Sequence, residues 1–138
     1  RPMLHAKNYN FSFSGLKTAV LYYLRDNPLT AKSYKLKADL CASFQAAAVD
    51  VLVQKTMRAV KQFNAKSVSL SGGVAANQHL RQELIANCQK FNVAFMAPPM
   101  NLCTDNAEMI GIAAAFMFSN GFRPVSYKKV KADSNLAL

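Results

Sequence analysis

The chain has 138 residues, enough for one domain that buries roughly two thirds of its unfolded surface, so no disulfide scaffold is required. Cys41, Cys88 and Cys103 are odd in number and widely spaced, which excludes a bridge framework or a paired-cysteine zinc site and predicts reduced thiols in the cytoplasm. Lys and Arg outnumber Asp and Glu by 17 to 7, giving a net charge of +10 and predicting an anionic partner, RNA first.

In chain order, residues 1–10 read as irregular and Phe11-Ser12-Phe13 alternates as a short strand. Ser14 is placed to cap a helix over about 15–26, stopped by Asp26-Asn27-Pro28. A polar, Lys-rich connector leads to Asp39. Beyond it Leu40, Phe44, Ala47, Ala48, Val51, Leu52 and Met57 recur at three- and four-residue steps, predicting a long amphipathic helix that ends near Phe63 and packs on a sheet.

A strand over 67–71, a glycine hinge, a helix over about 76–90 and a strand over 93–96 make a strand-helix-strand unit, for which parallel pairing is expected. Pro98-Pro99 ends the second strand. Residues 107–119 are apolar on nearly all sides, predicting a buried helix closed by Asn120-Gly121. The basic residues 123–138 are expected as a short strand or a mobile tail. The class is α/β, rich in helix.

No apolar run approaches the ~20 residues of a membrane span, and Arg1-Pro2-Met3-Leu4-His5 does not read as the start of a signal peptide, so no membrane partner is expected. Basic residues gather at Arg1, Lys7, Lys17, Arg25, Lys32, Lys35 and Lys37, and again at Lys128, Lys129 and Lys131. No aromatic side chain is interleaved among them as a base-stacking platform, so a solvated face stands beside a nucleic-acid face as a reading.

Ser71-Gly72-Gly73-Val74-Ala75-Ala76-Asn77 carries the clearest chemical signal. Adjacent glycines permit a sharp turn and close approach of a ligand, and the N–H groups of a following helix attract anions. Taken alone, Ser71-Gly72-Gly73 is more often a plain strand-to-helix turn than a phosphate cradle. Asn77 adds an amide that can both donate to and accept from a phosphate or ribose hydroxyl, although Asn is also ordinary in a first helical turn.

Gly15-Leu16-Lys17-Thr18 superficially matches the end of a phosphate-binding P-loop, but Leu16 and Phe11 stand where that motif needs glycine. Ser14 reads as a cap, with a ligand role for Ser12 or Lys17 as the alternative. Thr104-Asp105-Asn106 reads as a helix N-cap; Asp105 could also ligate a metal, but one carboxylate is not a site. His5 and His79 lack the spacing of a helical metal pair, and Glu83 and Glu108 are expected to face solvent. No Ser-His-Asp or Cys-His nucleophile unit assembles.

Taken together, Asn10-Phe11-Ser12-Phe13-Ser14-Gly15-Leu16-Lys17-Thr18, Ser71 to Asn77 and Cys103-Thr104-Asp105-Asn106 resemble, in order and approximate spacing, the C-terminal portion of the TsaD family. These are the tRNA threonylcarbamoyladenosine transferases, formerly called O-sialoglycoprotein endopeptidases or glycoproteases. The resemblance implies an actin-like, sugar-kinase-like ATPase fold, of which residues 1–122 would form the C-terminal lobe with a mixed sheet and packed helices, followed by a basic tail over 123–138.

It further implies transfer of threonylcarbamoyl from threonylcarbamoyl-AMP to the adenosine beside a tRNA anticodon. Gly72 and Gly73 would line the phosphates of the adenine nucleotide and Asn77 would contact the nucleotide or adenylate. Asp105 would be one ligand of a divalent metal, iron or zinc, and Ser12, Ser14 and Lys17 would stand at a cleft wall. The family's other two metal ligands, a histidine pair, belong to an N-terminal lobe that this sequence does not contain, and neither His5 nor His79 replaces them by motif. The chain alone is therefore expected to be inactive, with tRNA, the N-terminal lobe and accessory subunits of the same modification machinery as partners. The rival readings are a basic nucleic-acid-binding module and a lobe of a phosphotransferase from the same superfamily. A metalloendopeptidase lacks its water-activating glutamate and metal set here.

Overall fold

A computed structural model describes residues 1–30, 33–129 and 131. Its longest element is α2, Tyr34–Phe63, whose 30 residues span about 45 Å at 1.5 Å per residue. The helix begins before Asp39, so the second half of the expected connector is helical. Two stripes of α2 are buried. Val49, Val53, Met57 and Val60 join Leu80, Leu84 and Cys88 in the core, while Ala47, Val51 and Lys55 form a second row at four-residue spacing. Phe44, expected in the apolar stripe, is 41% exposed.

The core is closed by a small α/β unit. Strand β1, Ser67–Ser69, pairs in parallel with β2, Ala94–Met96, in the register Ser67 to Ala94, Val68 to Phe95 and Ser69 to Met96. Both strands are shorter than expected. Among the described residues the sheet has these two parallel strands, so the mixed sheet implied by the resemblance is not seen among them. Val68 and Phe95 pack against the core with Leu70 and Val93, whereas Ser67, Ser69, Ala94 and Met96 are exposed. The expected packing of the long helix on a sheet is thus present, together with α3, Gln78–Lys90.

Helix α1, Ser14–Asp26, ends at Asn27 as expected, but two local expectations fail. Residues 11–13 form no strand, and Ser14 is the first residue of the helix rather than its cap. Among the described residues no strand pairs with Phe11 to Phe13: Lys55 of α2 lies over the Phe11 ring, and Phe13 shares a groove with Phe44 and Leu52 of α2 and with Leu70 and Val74.

That segment is tied down by cations. Arg58 of α2 donates through Nη2 to the carbonyls of Ala6 at 2.9 Å and Asn8 at 2.7 Å, and Lys55 donates to the Asn10 carbonyl at 2.5 Å. Arg58 also lies over the Tyr9 ring and Lys55 over the Phe11 ring, and Arg1 pairs with Asp50. Burial pushes the Lys55 ammonium below its ordinary value, and the nearby Arg58 charge adds to the shift.

Three helices end alike. Asn64, Asn92 and Gly121 take positive φ of 49°, 52° and 88°, so the next N–H returns to a carbonyl one turn back: Ala65 to Val60, Val93 to Cys88 and Phe122 to Met117. Asn tolerates this left-handed conformation and Gly has no side chain to oppose it.

The chain divides into two units, the first Arg1–Cys103 and the second from Thr104 onward. The second contains α4, Ala107–Ser119, at the expected bounds. The expectation that α4 is buried fails: none of its residues is buried, and Phe116 is 71% exposed. An all-round apolar surface needs a covering partner on every side, and one short unit does not provide it. Beyond Gly121 the described residues include a 3-10 turn, Tyr127–Lys129, rather than a strand; 130 and 132–138 lie outside the described residues. Cys41, Cys88 and Cys103 are all free, and among the described residues no helix is long and apolar enough to cross a membrane.

Candidate functional site

After β1, the Leu70 N–H donates to the Met96 carbonyl and the chain then leaves the sheet. Gly72 takes φ 81° and ψ 177°, a region that side chains other than hydrogen essentially exclude. Gly73 to Ala76 form one 3-10 turn, in which the Ala75 N–H donates to the Gly72 carbonyl. The hinge therefore does not run straight into the helix at 76. A separate turn intervenes, and α3 starts at Gln78 because Asn77 stops the turn and caps the helix.

Asn77 is committed on both sides of its amide. Its Oδ1 accepts from the Leu80 N–H at 3.0 Å, and its Nδ2 donates to Gln45 Oε1 on α2 at 3.1 Å. One Nδ2 hydrogen and one Oδ1 lone pair remain beyond those two bonds. The glycines differ in what they require. A Cβ built on either meets nothing within 4 Å, so Gly72 answers a backbone demand while nothing in the protein's own packing requires Gly73. Space over this turn is open to a ligand.

The motif at the start of α1 reaches the same region. Phe13 and Val74 both line an apolar groove of about 370 Å³ with Phe44, Leu52, Leu70 and Leu84, and a neighbouring cavity of about 250 Å³ is lined by Val74 and Asn77. The structure thus brings the Phe11 to Thr18 segment and the glycine turn to one groove, through Phe13 rather than through the polar residues of the motif. Ser12, Ser14 and Lys17 do not line it. Ser14 instead lends its carbonyl to the Thr18 hydroxyl.

Asp105 lies in the second unit, where the cap is made by its neighbour. Asn106 Oδ1 accepts from the Met109 N–H at 2.8 Å, and its Nδ2 donates to the Thr104 carbonyl. The expectation that Thr104 and Asp105 cap this helix is corrected accordingly. Asp105 is exposed and, among the described residues, its carboxylate has no hydrogen-bond partner. Among the described residues no group of three or more His, Cys, Asp and Glu side chains could hold a metal ion. Asp105 therefore presents one carboxylate that belongs to no such group among the described residues.

Arg81 belongs to none of the three motifs, yet it joins the glycine turn to the next loop. Its Nε donates to the Ala75 carbonyl, and its Nη2 to the Pro98 carbonyl at 2.6 Å and to Cys103 Sγ at 3.0 Å. The only signal in the sequence was its place one turn into a helix that opens beside the glycines.

Comparison with known proteins identifies the family of the sequence. Residues 1–112 match the family described as TsaD, tRNA N6-adenosine threonylcarbamoyltransferase. The tRNA N6-adenosine threonylcarbamoyltransferase of Thermosipho africanus is 46% identical over 121 residues, which are 88% of this chain and 36% of that protein. Those of Thermotoga neapolitana and Francisella philomiragia are 41% and 44% identical over all 138 residues, covering 40% and 38% of their lengths. The chain spans between a third and two fifths of these relatives. With a match over most of its length, the chain belongs to the TsaD family, tRNA N6-adenosine threonylcarbamoyltransferase.

Proposed function

We propose that this chain forms the C-terminal portion of a tRNA N6-adenosine threonylcarbamoyltransferase and supplies one wall of its nucleotide site. The observation that carries this reading is the match of residues 1–112 to the family, beside relatives of which the chain covers 36–40%. The α/β unit with its open glycine turn is consistent with a lobe of an actin-like ATPase fold, and the opposite wall would come from the N-terminal portion.

The reaction joins the N6 amine of adenosine to the carbamoyl carbon of threonylcarbamoyl-AMP. The C–O bond to phosphate breaks, AMP leaves with the bonding pair, and the amine gives up a proton. In this reading the N–H groups that open the Gly73 to Ala76 turn face the phosphate, where they stabilise its charge without reorganising. The remaining donor and acceptor of Asn77 orient the ribose or the adenylate. Asp105 is one carboxylate toward a divalent metal, iron or zinc, whose other ligands lie outside this chain. tRNA and the accessory subunits of the modification machinery are the proposed partners, and the cytoplasm is the proposed compartment.

Asn77→Ala and Asp105→Ala, placed separately in a full-length protein carrying residues 1–138, test the assignment. Each is expected to lower threonylcarbamoyladenosine formation by about tenfold or more, the scale of a lost positioning or charge contact. Asp105→Ala should also lower bound metal. Unchanged metal content and turnover would remove Asp105 from the site.

A further inference from the structure

Among the described residues, the hydrogen bonds between the glycine turn and the loop ending at Cys103 run through one guanidinium. We infer that Arg81 is a positioning residue that holds the Gly72 to Asn77 turn and the Pro98 to Cys103 loop as a single wall. The inference rests on the transferase reading for the identity of the ligand, and on the hydrogen bonds alone for the coupling.

Both ends of the bridge are anchored. Ala75 is fully buried and Cys103 is 4% exposed, and Cys103 Sγ also lies 3.3 Å from the Pro99 carbonyl. Arg81 stands at the first turn of α3, and its side chain reaches back over the preceding turn as helical side chains do. Three acceptors in different directions need the planar fork of a guanidinium. The ammonium of a lysine is a single point on a flexible stem and cannot meet all three.

Each anchor stands just ahead of a candidate ligand-binding side chain. Ala75 sits two residues before Asn77, and Cys103 two residues before Asp105. Within the first unit the guanidinium thus fixes the chain at the approach to Asn77 and at the end of the loop that leads out of that unit. It makes no contact with a ligand in this role; it sets where two backbone segments stand, so a small loss of hold would displace the contacts that the turn makes.

Hydrogen exchange on the full-length protein that carries residues 1–138 decides the coupling. In Arg81→Lys the amides of Ala75 and Asn77 and those of Leu102 and Cys103 should exchange together, about tenfold faster than in the parent, while amides of α2 keep their rates. Cys103→Ser, which keeps an acceptor, should behave as the parent, and Cys103→Val should reproduce the Arg81→Lys pattern. Equal acceleration throughout the chain, or a response in one segment only, overturns the inference.

ADP titration of the full-length protein separates this from the functional reading. A parent that binds ADP and an Arg81→Lys variant weakened about tenfold support both. A parent that does not bind ADP sinks the nucleotide reading, and the exchange pattern still decides Arg81. Equal ADP affinity in parent and variant overturns the positioning role.

Discussion

Lys55 donates its ammonium to the Asn10 carbonyl from a position that is 1% exposed, and among the described residues no carboxylate is one of its hydrogen-bond partners. A buried cation held by a backbone carbonyl is costly to desolvate, and the chain uses it to fasten its first ten residues to α2. The arrangement has a consequence for pH. The folded-state value of Lys55 lies below its ordinary value, so between the two the unfolded chain keeps a proton that the folded chain has released, and stability rises with pH across that window. Urea unfolding of the parent and of Lys55→Met from pH 7 to about 10 is expected to show the parent gaining on the variant as pH approaches the ordinary lysine range. Parallel curves would mean that Lys55 keeps its proton through folding.

Arg58 adds two bonds to that attachment, beside the Arg1–Asp50 pair and the bond from the Tyr9 hydroxyl to Gln62. Removing it in Arg58→Ala frees the carbonyls of Ala6 and Asn8, and the segment before α1 should become the first site of limited proteolysis while the core amides of α3 stay protected. Cleavage that stays as slow as in the parent would show that the remaining ties suffice, among them Lys55 on Asn10 and Phe11, Arg1 on Asp50 and the Tyr9 ring against Phe63.

Gly72 and Gly73 should separate stability from binding. Gly72→Ala forces a side chain into a region reserved for glycine and is expected to cost about 1–3 kcal/mol. Gly73→Ala meets no protein atom within 4 Å and should stay within about 0.5 kcal/mol of the parent. If the turn faces a nucleotide, Gly73→Ala nevertheless weakens ADP binding by the full-length protein, because the new methyl group occupies the ligand's space. Denaturant unfolding and ADP titration of the two variants check this together, and retained affinity in Gly73→Ala would place the ligand elsewhere.

The pair Asp105 and Asn106 divides in the same way. Asn106→Ala removes the cap of α4 and should cost about 1 kcal/mol of that helix's stability, whereas Asp105→Ala, which makes no capping bond, should leave it nearly unchanged. Helix content followed by circular dichroism on heating distinguishes them. An equal loss in both would return Asp105 to a structural role.

Much was legible where the cause is local. The bounds of α4, the end of α1 at Asn27 and the end of α2 next to Asn64 follow from caps and breakers that act within one turn. The parallel pairing of β1 and β2 follows from a strand, a helix and a strand in succession. The motifs containing Gly72, Asn77 and Asp105 were also visible in the sequence, because each is a contiguous run of residues.

What depends on contacts across the chain was not legible. Lys55 interrupts an apolar row and looks like a solvated charge until the Asn10 carbonyl is placed beside it, 45 residues away. Arg81 and Cys103 carry no mutual signal 22 residues apart, and only folding brings guanidinium and thiol together. One side of the Asn77 amide is likewise consumed from a distance, because its Nδ2 donates to Gln45 on α2, 32 residues away. Local backbone preferences and short motifs are written in neighbouring residues, so the sequence alone determined the helices, the strand-helix-strand unit and the family. Which polar groups are consumed by the fold and which are left for a ligand depends on partners brought from distant positions, and the tertiary structure alone decided that.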